Sequence, residues 1–249
     1  MENPDELDGT APVVERFVLL LVALLSLFLV GPLLADQHIG AGILDLFVSL
    51  ALLLTVRALG GASKRVVLAA LTLSCLAIVV ATGSHALGIS MLLPIGHVIG
   101  VVFFLLTGLT LLKRVVEPGA VTVSRLQAAV CGYVLVGLGW GLVYSVIEHV
   151  QPGAFLDHAG EASLSSHAVL AGFPHLTYYS FTTLTTLGFG DVVPVSPLAR
   201  SLSTLEAVVG QLYLAVLVAR LVGLHTFLVA GDRGASASAE VGGSQTADL

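Results

Sequence analysis

Charge is scarce in this chain. Only 10% of its 249 residues are Asp, Glu, Lys or Arg, against about 25% in an ordinary soluble domain, so a water-exposed globular surface is excluded. Lysine occurs only as Lys64 and Lys113. A net charge of −6 argues against nucleic acid as a partner. The two cysteines, Cys75 and Cys131, lie in separate apolar runs. They are expected to be buried packing thiols rather than a disulfide or metal pair. No nucleophile–base pair or metal-ligand cluster appears at usable spacing, which excludes the common enzyme classes, and no cofactor is implied. No internal repeat is visible. The first residues are acidic (Glu2, Asp5, Glu6, Asp8) and lack the basic segment of a cleaved leader. The first apolar run is therefore expected to remain as an anchor.

What the chain has in quantity is apolar length. It is 56% hydrophobic with a mean hydropathy of +1.00, the composition of an all-α integral membrane protein partnered by the lipid bilayer. Six runs approach the ~20 residues that cross a bilayer: Phe17 to Ala35, Ile43 to Leu59, Val66 to Thr82, Ile89 to Leu112, Leu126 to Val150 and Leu198 to Val229. A seventh, Pro174 to Thr186, is too short to cross. With the N-terminus inside, nine of the ten basic residues fall on the cytoplasmic side, Arg200 being the exception. The lysine and arginine bias then predicts a multi-pass protein with both termini cytoplasmic.

Residues 182–194 read Thr-Thr-Leu-Thr-Thr-Leu-Gly-Phe-Gly-Asp-Val-Val-Pro. The core Thr186-Leu187-Gly188-Phe189-Gly190-Asp191 resembles the pore signature of the potassium channel family, Thr-Val-Gly-Tyr-Gly-Asp. The likeness to bacterial two-helix pore modules extends over about Val121 to Leu228. The resemblance implies a re-entrant pore helix and filter between the fifth and sixth spans, and one quarter of a tetrameric pore. Thr186, Leu187, Gly188, Phe189 and Gly190 would coordinate the permeant potassium ions, those at Thr186 to Phe189 holding them. Backbone carbonyls replace the ion's water shell if they all point into one tube. Glycines spaced by one residue supply conformations closed to residues with a Cβ. Asp191 would set the outer mouth. Phe189 stands where the family has Tyr, and Leu187 where it has Val, so selectivity is expected to be less sharp than usual. One filter per chain requires a homotetramer with cyclic symmetry.

The neighbouring residues take supporting roles. Pro174 is placed as the start of the pore helix, with Tyr178, Tyr179, Phe181, Thr182 and Thr185 bracing the filter. Ser196 and Pro197 form a helix start for the sixth span. Gly210 is either a gating hinge or a close-packing residue. Leu214, Val218 and Val222 repeat every four residues and line either the cavity gate or the lipid face. Glu206, an acid at membrane depth, is a candidate to hold the filter through Thr182 or Tyr179, or makes a simple interhelical contact. Arg200 either pairs with Asp191 or Glu206 or faces headgroups. Gly132, Gly137, Gly139 and Gly141 suggest tight packing of the fifth helix on the sixth. His97, inside the fourth span, reads as a packing residue. His149, His158, His167 and His175, with Glu148, Asp157 and Glu161, read as a solvated turret, a proton or zinc sensor being the alternative. Between Ile89 and Leu112 there is no arginine, so weak or absent voltage dependence is expected.

The domain reading is a cytoplasmic N-terminus (1–16), a four-helix region without sensor arginines (17–112), a connector (113–125), a pore domain (126–230) and a disordered tail (231–249). The expected function is passive potassium conduction in the plasma membrane, with a less selective cation channel or a potassium transporter subunit as alternatives.

Overall fold

The computed structural model describes residues 17–26, 50–59, 62–87, 92–117, 123–157 and 169–220. Helix α1 spans Phe17–Ser26 and α2 spans 50–58. Helices α3 (Lys64–Leu87), α4 (Leu92–Val116) and α5 (Val123–Val150) follow. Strand β1 (Phe155–Asp157), helix α6 (Val169–Leu184), strand β2 (Val192–Pro194) and helix α7 (Pro197–Arg220) complete the order. Among the described residues three helical stretches are long and apolar enough to cross a membrane: Pro94–Lys113, Val123–Val150 and Pro197–Arg220. The N-terminal region 1–16, the tail 231–249, Val222, His158, Glu161 and His167 lie outside the described residues, as do parts of the first two spans.

Local chemistry explains the helix limits. Ser63 accepts from Val66 N at 3.4 Å and opens α3. At α7 the Ser196 hydroxyl accepts from Ala199 N at 3.2 Å, and Pro197, whose missing N–H has no partner to lose, takes the first helical position. Inside the helices, hydroxyls bond back to carbonyls four residues earlier: Thr55 to Ala51 at 2.7 Å, Thr107 to Phe103 at 2.8 Å and Ser145 to Gly141 at 2.9 Å. Each of these three hydroxyls is thereby satisfied within its own helix. Three boundaries differ from the sequence reading. α3 continues through residues 83–87, expected as loop, and α4 runs on to Val116, so the connector narrows to about residues 117–122. Hydropathy marks only the apolar stretch, whereas the hydrogen-bond ladder carries a helix on into the polar zone. α6 begins at Val169 and places Pro174 in its interior, not at its start.

α5 is the packing centre. Its Leu135, Leu138 and Leu142 join Phe103, Phe104 and Leu111 of α4 and Phe17, Leu20 and Leu24 of α1 in one core. The buried Cys131 thiol donates to Phe17 O at 3.6 Å, while Cys75 is exposed on α3, not buried as expected. The glycines of α5 serve different neighbours than predicted. A Cβ at Gly137 would meet the Phe181 ring at 2.3 Å and one at Gly141 the Thr177 hydroxyl at 2.8 Å, both on α6. At Gly139 the nearest atom belongs to Phe104 of α4, at 3.2 Å; only Gly132 faces α7, through Tyr213 at 2.9 Å. A second, smaller core of Tyr144, Ile147, Phe155, Leu176, Tyr179 and Val192 sits beside the site.

Candidate ion-conducting site

The chain leaves α6 at Leu184 and enters the glycine-spaced segment through a turn at Thr185 and Thr186. Three residues, each two apart, take positive φ: Thr186 (59°), Gly188 (57°) and Gly190 (80°). A Cβ at Gly188 or Gly190 would find open space. It is therefore the backbone conformation, not crowding, that requires glycine there. Thr186 takes the same conformation with a branched Cβ, a strain on the order of 1–3 kcal/mol that the surroundings must offset. Thr186 N donates to Thr183 O at 2.9 Å, and Gly188 N to Thr182 O at 3.1 Å. The Thr186 hydroxyl donates to Thr185 O at 2.7 Å and accepts from Gln211 Nε2 at 3.4 Å. Gln211, on α7, is a contact the sequence reading missed; its only signal is a polar residue directly after Gly210 in an apolar helix.

The outer end is held from two sides. Asp191 Oδ2 accepts from the Tyr178 hydroxyl at 2.7 Å, and Oδ1 from Val192 N at 3.0 Å. The Tyr178 bond is the main reason the Asp191 carboxyl titrates below its ordinary value. The Tyr178 ring lies parallel to that of Phe189, 7° apart with centroids at 6.4 Å. Beyond Asp191, β2 pairs antiparallel with β1 in the register Phe155↔Pro194, Leu156↔Val193 and Asp157↔Val192. The start of that hairpin is fastened by the buried Glu148, whose two oxygens accept from Gly153 N at 2.7 Å and Phe155 N at 3.0 Å. Glu148 is thus a structural clamp, not a free turret acid. Arg200 donates through Nε to Pro194 O at 3.1 Å and makes neither of the carboxylate pairs considered for it. His175 lies 3.8 Å from Asp157. Among the described residues no group of three potential metal ligands sits together.

Behind the segment, Glu206 of α7 is fully buried. Its partners are the hydroxyls of Tyr144 on α5 and Ser180 on α6, each at 2.5 Å. Neither Thr182 nor Tyr179, the partners suggested by spacing, bonds it: Tyr179 donates to Ser203 Oγ at 2.7 Å and Thr182 to Tyr179 O at 2.8 Å. Tyr179 also packs edge-on against Tyr144 and Phe155, each ring centroid 5.2 Å away. Thr185 returns its hydroxyl to Phe181 O at 2.6 Å. Farther out, His97 of α4 stacks on Phe173 of α6, with centroids 6.3 Å apart, in keeping with a packing role.

Below, Gly210 closes against the end of α6. A Cβ there would stand 2.3 Å from Leu184 O. The same carbonyl accepts from the Tyr133 hydroxyl at 3.1 Å, and Tyr213 ties α7 to α5 through Ala129 O at 2.6 Å. Leu214 and Val218 are exposed on α7 of the single chain.

Residues 145–226, which include every contact from α6 to α7 given above, match a family model described as ion channel. Within the chain, 86 residues are 34% identical to the inward rectifier potassium channel Kirbac3.1 of Paramagnetospirillum magnetotacticum. Over this stretch the chain is similar to the ion channel family model and to that potassium channel. The aligned stretch is 34% of this chain and spans only 23% of that relative's length. No solved structure matches the chain. The matched stretch takes in α5 from Ser145 onward, β1, α6, β2 and α7.

Proposed function

We propose that four copies of this chain surround a shared axis and conduct potassium passively across the plasma membrane, with both termini cytoplasmic. The observation that carries this reading is the recurrence of positive φ at Thr186, Gly188 and Gly190. A two-residue period turns successive carbonyls to one side, as a dehydrated cation requires. The carbonyls of Thr186, Leu187, Gly188, Phe189 and Gly190 form the ion sites, with Asp191 at the outer mouth. One strand of carbonyls cannot encircle an ion, so the ring needs further copies related by rotation. The faces such an assembly would cover are the exposed ones. In the single chain residues 185–190 are exposed, and only 17% of the Pro197–Arg220 stretch is buried against 61% for α5. The four-helix region lacks membrane arginines in α4, so the channel is weakly voltage-dependent.

Reversal potentials of the purified protein in planar bilayers, under opposed potassium and sodium gradients, test the reading. Potassium selectivity is expected, with conduction abolished in Gly190→Ala because φ of +80° costs a residue with a Cβ about 1–2 kcal/mol. Equal permeability would favour the less selective cation channel, in which a Phe189 ring held by stacking alone sets the width loosely. Saturable, proton-coupled flux would favour a transporter subunit.

A further inference from the structure

Three oxygen–oxygen contacts meet around Glu206. Tyr144 Oη lies 2.5 Å from Oε2, and Ser180 Oγ lies 2.5 Å from Oε1. Ser180 Oγ also lies 2.8 Å from the carbonyl oxygen of Gly137 on α5. Each contact at such a distance needs a proton between its oxygens. The two hydroxyls bring one each, which leaves the third contact without one if the carboxyl is ionised. Ser180 cannot donate to Gly137 O and to Glu206 at once.

We infer that Glu206 is a neutral carboxylic acid whose own proton completes the chain, making it the positioning residue that locks α6 between α5 and α7. The carboxyl donates to Ser180 Oγ, Ser180 donates to Gly137 O, and Tyr144 donates to the other carboxyl oxygen. Three protons then serve three contacts. The setting agrees: Glu206 is fully buried, and no lysine or arginine is among the buried residues described. An unpaired carboxylate there would carry a heavy desolvation cost, which a neutral acid avoids. The link joins Ser180, one turn before Leu184 at the end of α6, to Glu206, one turn before Gly210. It therefore fixes the depth at which the glycine-spaced segment begins.

The protonation claim stands apart from the channel reading; only its consequence for selectivity rests on it. Infrared spectra of the purified protein at neutral pH are expected to show a protonated-carboxyl C=O band that Glu206→Gln removes. Glu206→Gln keeps one donor and one acceptor in the same places. It is expected to retain most of the assembly's thermal stability and the potassium-over-sodium permeability ratio. Glu206→Leu strands the buried Tyr144 hydroxyl and removes the donor to Ser180, a loss on the order of tenfold to a hundredfold in the folded population. A spectrum without that band overturns the inference, as does a Gln variant with single-channel conductance shifted by a lost charge or stability reduced as far as in the Leu variant. If Glu206→Leu does not fold, the wild-type and Gln spectra still decide. A protein that shows the band but conducts no cation would refute the channel reading alone.

Discussion

Gly210→Ala separates two roles that a glycine in the inner helix can play. The added Cβ would stand 2.3 Å from Leu184 O, 2.9 Å from Leu184 Cδ1 and 3.1 Å from the Leu184 carbonyl carbon. Two of those atoms are backbone at the end of a helix and cannot swing aside. Restoring an ordinary contact of 3.4 Å requires α7 and α6 to part by about 1 Å, a gap that costs roughly 1–3 kcal/mol in lost packing. The same movement stretches the Tyr133–Leu184 O bond, 3.1 Å long, and the Glu206–Ser180 contact one turn away. Alanine's better helix propensity returns about 1 kcal/mol. The net expectation is a loss of up to about 2 kcal/mol per subunit. Read as a midpoint shift at about 2–4 °C per kcal/mol, the purified assembly should melt some degrees lower in detergent. Potassium selectivity should weaken with it, since the end of α6 sets where the filter starts. If Gly210 were instead only a hinge, alanine would stiffen α7, raise the melting midpoint and lower open probability with selectivity intact. That pattern would refute the packing argument.

Two further outcomes follow from the outer mouth and from α4. The Tyr178 hydroxyl holds Asp191 below its ordinary pKa, so that bond is fully present above the ordinary carboxylate pKa and is lost as pH falls through the lowered value. Acid titration of outward-side conductance should therefore show its midpoint below the usual carboxylate range. Tyr178→Phe should move it upward; an unmoved midpoint would dissociate Asp191 from the conduction path. Conductance–voltage curves should be shallow, because each charge crossing the field supplies only about 2.3 kcal/mol per 100 mV and α4 offers Lys113 and Arg114 only at its end; a steep curve would place the sensor elsewhere.

Much of the architecture was legible because membrane helices announce themselves by composition. α3, α4, α5 and α7 fall where hydropathy put spans, and Ser196 with Pro197 marked the start of α7 to the residue. The misplaced features share one cause. Pro174 looked like a helix start because proline is favoured there, yet α6 gathers a further turn before it. Partners were misassigned for the same reason. Glu206 was matched to Thr182 and Tyr179 by proximity in the filter region, whereas Ser180 is the residue of α6 that reaches it and Tyr179 bonds Ser203 of α7 instead. Tyr144, in an apolar stretch of α5, carried no signal of its own.

The likeness of residues 186–191 to the potassium channel signature carried the expectation of a pore, and composition and spacing were by themselves sufficient for two conclusions: the chain lives in a bilayer, and glycine is needed at 188 and 190. Each depends on quantities local to the chain, namely transfer free energy per residue and the φ range open to a residue without a Cβ. Only tertiary packing decided that Gly210 abuts Leu184 O, that the glycines of α5 are divided among three neighbours, and that the carboxyl of Glu206 sits between Tyr144 and Ser180. Those outcomes depend on helix rotation and interaxial distance, which arise from the summed contacts of several helices and leave no local trace in the order of residues.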